Sequence, residues 1–119
     1  MNKKQFKNYI LGMLLLKPMD ICKLTDGEYK DKQIQNIYNN LKQETKELIE
    51  TYALGFFYHT IASIRFSSIF EKINNYELTE NDNYDYVDAN GNVIFSAYDT
   101  LNTNLDNVIN IIVKYEFHE

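Results

Sequence analysis

The sequence predicts an α+β fold that is predominantly α-helical: a small helical domain with one β-hairpin (about residues 84–98) and a C-terminal helix. Three observations carry this reading. Apolar residues recur at three- and four-residue steps through most of the chain. A single Asn-Gly pair, Asn90-Gly91, stands between two β-type runs. Helical spacing resumes after residue 100. The 119 residues suit a single compact domain spanning 1–119. A chain of this size can bury roughly two-thirds of its unfolded surface, so it needs neither a metal nor a disulfide to fold.

The elements follow in order. Phe6, Tyr9, Ile10, Met13 and Leu14 share one helical face, and Pro18 closes that helix. Residues 19–30 mix Asp20, Thr25, Asp26 and Gly27 with Ile21 and Leu24, which reads as a short helical turn and a loop. Ile34, Ile37, Tyr38, Leu41, Leu48, Ile49 and Tyr52 form one continuous stripe. Opposite it, Glu44, Glu47 and Glu50 alternate with Lys42 and Lys46, as on a solvated helix face. From Ala53 to Ile73 apolar residues appear on nearly every side, a pattern of burial around most of the helix, with Gly55 at the junction.

Tyr86-Val87 and Val93-Ile94-Phe95 flank Asp88-Ala89-Asn90-Gly91-Asn92. Asp88 suits the first position of a type I turn that places Gly91 in the left-handed region; a two-residue turn on Asn90-Gly91 is the competitor. Asp99 or Thr100 can cap a last helix carrying Leu101, Leu105, Val108, Ile111 or Ile112, and Tyr115, although the β-branched run from Val108 to Val113 also suits a strand. The expected core is Ile10, Met13, Leu14, Ile37, Leu41, Ile61, Ile64, Val108 and Ile112.

Charge is distributed unevenly. Residues 1–50 hold nine Lys against seven Asp and Glu, a balance of +2. Residues 51–119 hold three basic and ten acidic groups, a balance of −7. The molecule is therefore expected to have two electrostatic ends. Cys22 is the single cysteine, so no internal disulfide is available. Lys3, Lys4 and Lys7 precede an apolar run, but Lys17, Pro18 and Asp20 follow it with no small-residue cleavage site. The expectation is a cytoplasmic protein without a membrane span.

Few residues point to chemistry. His59 and His118 have no Cys, His or carboxylate at metal-ligand spacing, so neither a metal nor a cofactor is expected. Read as a calcium loop with Gly91 at the sixth position, residues 86–97 offer Tyr86 and Ala97 where acids are required. No phosphate-binding glycine loop or nucleophile elbow is present, and the paired carboxylates lie in a polar stretch with nothing to raise a pKa. These features argue against an enzyme.

Two binding readings follow. Glu77, Glu80, Asp82, Asp85 and Asp88 contain no basic residue among them, and Tyr76, Tyr84 and Tyr86 are interleaved. Such a segment either protects a sheet edge or docks on a basic protein surface, with Tyr84 and Tyr86 supplying contact area and no nucleic acid bound directly. In size and charge the chain is similar to the small acidic inhibitors of phage and mobile elements, anti-CRISPR proteins among them. Self-association of the chain stays open. The alternative rests on Ile10-Leu11-Gly12-Met13-Leu14-Leu15-Leu16-Lys17-Pro18-Met19 and Ile37-Tyr38-Asn39-Asn40-Leu41-Lys42. These resemble the first helix and the recognition helix of PadR-type winged-helix repressors, with Asp20-Ile21 in place of the family's Gly-Tyr. That resemblance implies DNA binding through Lys30, Lys32 and Lys42, with Asn90-Gly91 at the tip of a wing.

Overall fold

The structure is a computed structural model that describes residues 1–54, 60–74, 77–96 and 105–117, with the backbone only for residues 60–63. Among these are six helices and one three-stranded antiparallel sheet. The α+β, mostly helical class stands.

Helix α1 (Lys3–Leu14) begins on a reciprocal cap. The Gln5 amide donates to Asn2 Oδ1 at 2.8 Å, and the Asn2 amide donates to Gln5 Oε1 at 3.0 Å. Its apolar face buries Phe6, Ile10, Met13 and Leu14. Pro18 then opens a further helix, α2 (Pro18–Thr25), at the position where a missing N–H costs nothing. The helical turn expected within residues 19–30 is a two-turn helix, and the expected loop follows it over residues 26–31. The buried residues of α2 are Ile21 and Leu24, and Gly27 follows it at φ 80°.

The stripe from Ile34 to Tyr52 is not one helix. It divides into α3 (Lys32–Asn39) and α4 (Gln43–Ala53). Asp31 caps α3 by accepting from the Gln33 and Ile34 amides. Gln35, 4% exposed, joins α3 to what precedes it: its Oε1 accepts from the Tyr29 amide, and its Nε2 donates to the Leu24 carbonyl.

The break at Lys42 has a distant cause. Lys42 is extended, at ψ 154°, and supplies no side-chain cap for α4. Glu116 provides the cap instead, accepting from the Lys42 amide and the Thr45 hydroxyl, each at 2.7 Å. Lys42 Nζ donates to the Tyr115 carbonyl at 3.0 Å and lies 4.3 Å from the Tyr115 ring centroid. The Tyr115 hydroxyl donates to Glu44, which also pairs with Lys72 at 3.4 Å. Glu44 is therefore part of a clasp joining three helices, not of a plain solvated face. Donors from the clasp and from its own backbone hold its carboxyl below the usual range, the backbone contribution being largest.

Replacing Glu116 by Ala removes a cap and the favourable carboxylate at a helix N-terminus. It is expected to cost about 1–2 kcal/mol, read as a lower urea midpoint at unchanged slope.

Helix α5 (Thr60–Asn74) buries Phe66, Ile69, Phe70 and Ile73. It also has a wet face, because Ile64, Ser68 and Lys72 follow one another at four-residue steps and all are exposed. Ile64, expected in the core, is 56% exposed. Ile10, Met13, Leu14, Leu41, Val108 and Ile112 are buried as expected, and Ile37 is half-buried against them. The side chain of Ile61, with Gly55, His59, Tyr76, Asp99, Thr100, Leu101 and His118, lies outside the described residues.

The sheet runs β1 (Thr79–Glu80), β2 (Asp85–Val87), β3 (Val93–Ser96) in that spatial order. The expected hairpin is β2–β3, and β1 adds a short third strand. Of the expected 84–98 span, residues 97–98 lie outside the described residues. Tyr86 pairs with Phe95, and Val87 with Val93, so Ile94 is the extra residue of a bulge. The bulge breaks strict alternation and lets Ile94 and Phe95 both be buried. Helix α6 (Leu105–Glu116) resolves the last ambiguity in favour of helix: Val108, Ile109, Ile111, Ile112 and Val113 are buried, and α6 packs on α1 and α5.

Candidate docking surface

Two turns of one design shape the acidic end. In the first, Asn81 Oδ1 accepts from the Asn83 and Asp85 amides, each at 3.0 Å. The Tyr84 amide donates to the Asn81 carbonyl, and the Asn81 amide donates to the Asp85 carbonyl. In the second, Asp88 Oδ1 accepts from the Asn90 and Asn92 amides, each at 2.9 Å. The Gly91 amide donates to the Asp88 carbonyl, and the Asp88 amide donates to the Asn92 carbonyl. The second is the type I turn expected from Asp88, with Gly91 at φ 80°. The pattern thus repeats seven residues apart, at opposite ends of β2.

The two turns differ at the left-handed position. Where the second has Gly91, the first has Tyr84 at φ 61°. That conformation costs a side-chain-bearing residue roughly 1–2 kcal/mol. Tyr84 is nevertheless 51% exposed, so burial of its ring offsets little of the strain. Tyr84→Gly is accordingly expected to leave stability unchanged or raise it by up to about 1 kcal/mol. The mirror change, Gly91→Ala, meets no atom within 4 Å and is expected to cost about 1 kcal/mol from backbone strain alone. Thermal melts of both variants test the pair.

The seven residues singled out in the sequence divide by their surroundings. Glu77, Glu80, Asp82 and Tyr84 are exposed, and Asp85 is half-buried beside them. Among the described residues, none of Glu77, Glu80, Asp82 or Asp85 takes part in an ion pair. Tyr86 is different: it is 8% exposed and stacks on Phe95, with centroids 4.6 Å apart and planes 15° apart. Its ring belongs to the core and is not a contact surface. Burial, followed by the negative charge of the neighbouring Glu80, pushes its pKa up.

Asp88 is also committed locally. Oδ1 serves the turn amides, and Oδ2 accepts from Asn92 Nδ2 at 3.3 Å. These donors, the Asn92 amide first, hold its carboxyl below the ordinary range. Asp88 therefore shapes the turn and is poorly placed to contact a partner or an ion. Among the described residues no group of three His, Cys, Asp or Glu side chains could hold a metal ion. Asn81 is the residue that sequence reasoning passed over. Its signal was legible: Asn81-x-Asn83-x-Asp85 repeats the polar spacing of Asp88-x-Asn90-x-Asn92.

The helical segments of the alternative reading sit differently. Lys42 is tied into the Glu116–Tyr115 clasp, and α4 and α5 intervene between α3 and the hairpin. Among the described residues no helix is long and apolar enough to cross a membrane. The chain matches no protein-family model, no curated protein and no solved structure.

Proposed function

We propose that the chain is a non-enzymatic cytoplasmic binding protein whose acidic sheet end occupies a basic, nucleic-acid-binding groove of a partner protein, as an inhibitor of the mobile-element kind does. The observation that carries this reading is that Glu80, Asp82 and Asp85, without ion pairs among the described residues, lie in or next to the turn that holds the exposed Tyr84 at positive φ, with Glu77 preceding β1. Carboxylates there can stand in for phosphates. The Tyr84 ring adds an amphipathic contact held on a tight turn, so little side-chain entropy is lost on docking.

The test is capture of the partner from a native lysate, followed by elution. A partner held by this surface is released by added duplex DNA and by salt. The protein itself shifts no DNA in a low-salt gel. A DNA shift by the purified protein would instead support the regulator reading, with contacts on α3.

A further inference from the structure

A second feature, away from the turn that carries Tyr84, is the cleft between the β2–β3 hairpin and α6. It encloses about 590 Å³, a volume within the range of small-molecule sites. Asparagine makes up fifteen of the 119 residues, yet four of the nine described residues lining this cleft are Asn. They come from three separate parts of the fold: Asn74 ends α5, Asn92 precedes β3, and Asn107 and Asn110 lie on α6. Residues 107, 110, 111 and 114 follow the three- and four-residue steps of one helical face, so Asn107, Asn110 and Lys114 meet the cleft together beside Ile111. Val93 and Ile94 complete its apolar part. Its charged lining residues among those described are Asp88 and Lys114, of opposite sign. Asp88 is taken up by its own turn, accepting from the Asn90 and Asn92 amides and from Asn92 Nδ2. Asn74 is half-buried, and among the described residues the side chains of Asn74, Asn110 and Lys114 have no hydrogen-bond or ion-pair partner.

We propose that this cleft binds an uncharged polyhydroxylated ligand, a saccharide. A hydroxyl is at once donor and acceptor, and so is a carboxamide, so amides arranged around a cleft match a ring of hydroxyls. Lys114 adds further donors. Because Asp88 and Lys114 oppose each other in sign, the described lining carries no net charge and selects neither an anion nor a cation. A saccharide also presents C–H faces, and Val93, 37% exposed, offers apolar surface to one of them. A nucleobase also pairs with Asn, but among the described residues no aromatic side chain lines the cleft to stack on it. A free sugar and the terminal unit of a glycan present the same hydroxyls. Methyl glycosides, blocked at the anomeric position as a glycan unit is, separate the two sources.

The experiment follows amide chemical shifts of the full chain. The probes are glucose, galactose, mannose and N-acetylglucosamine, their methyl glycosides, maltose and cellobiose, with glucose 6-phosphate and adenosine as charged and aromatic comparisons. At least one neutral sugar is expected to shift residues 92–94 and 107–114 saturably, with a Kd of about 1 mM. Equal binding of its methyl glycoside assigns the cleft to a glycan unit, and loss of binding on methylation assigns it to a free sugar. Asn110→Ala, at an exposed position, removes a donor and an acceptor and should weaken binding on the order of tenfold. Should that variant fold poorly, Lys114→Ala, also exposed, gives a smaller loss of the same binding. Asn8→Ala, at an exposed amide outside the cleft, should leave binding unchanged. The proposal is overturned by the absence of saturable shifts with every neutral sugar at tens of millimolar, by shifts confined to other residues, or by Asn110 and Lys114 variants that bind like the parent. Tighter binding of glucose 6-phosphate or adenosine than of every neutral sugar at the same residues would also overturn it.

Discussion

Phe95→Ala is expected to destabilise the protein by about 3–5 kcal/mol, the range for truncating a fully buried Phe. Phe95 has no exposed surface. It lies between two rings, stacked on Tyr86 at 4.6 Å and meeting the edge of Phe66 at 4.7 Å and 77°. Phe66 in turn contacts Phe70 and Tyr52. Phe95 thus holds the short sheet on α5, beside the hydrogen bond from the Leu78 amide to Glu71 Oε1. Strands of two to four residues cannot persist alone, since even a longer isolated hairpin is marginal in water. Against a total stability of roughly 5–15 kcal/mol, the loss is large enough to detach the sheet before the helices unfold. Urea unfolding followed by both tyrosine fluorescence and helical circular dichroism tests this. Transitions that separate in the variant and coincide in the parent are the expected result, and Phe95→Leu, which keeps most of the volume, should lose far less.

The second large effect concerns association. Glu80→Gln, Asp82→Asn and Asp85→Asn together remove three negative charges from the acidic end while keeping side-chain size. The Asn81 turn is held by backbone amides that these changes do not touch. Stability should therefore hold. Steering by exposed charge acts mainly on the association rate, with effects of about tenfold upward at low salt. The triple variant is expected to associate with its partner at least about tenfold more slowly and to show a flatter dependence of rate on salt. Tyr84→Ala should act on the other limb, speeding dissociation by loss of ring contact. Surface-immobilised partner, with the two rates fitted separately, distinguishes these outcomes.

The parts of the fold that were legible in the sequence are those decided by local rules. The face of α1, the turn headed by Asp88, the left-handed Gly91 and the helical spacing of α6 all depend on residues within a few positions of one another. What was not legible depends on partners far along the chain. The stripe from Ile34 to Tyr52 has unbroken helical spacing, and its interruption at Lys42 is set by Glu116, 74 residues away. Ile64 has a core residue's chemistry, but α5 turns it outward with Ser68 and Lys72. Within the acidic segment, composition alone could not separate Tyr84 from Tyr86. The pairing of Tyr86 with Phe95 across the sheet buries one ring, and the turn headed by Asn81 exposes the other. Asp88 illustrates the same limit: its charge counts toward an acidic surface, yet its oxygens are already taken up by the turn.

On the function proposed above, the acidic end fills a partner's nucleic-acid-binding groove. The most direct measurement is competition on the purified partner, with labelled duplex DNA bound and unlabelled protein titrated in, for the parent and for the triple charge variant. The parent is predicted to displace the DNA to completion, and the variant to require at least about tenfold more protein. A ternary complex of partner, DNA and protein, or equal displacement by parent and variant, would contradict the claim and leave Glu80, Asp82 and Asp85 as a solvated sheet edge.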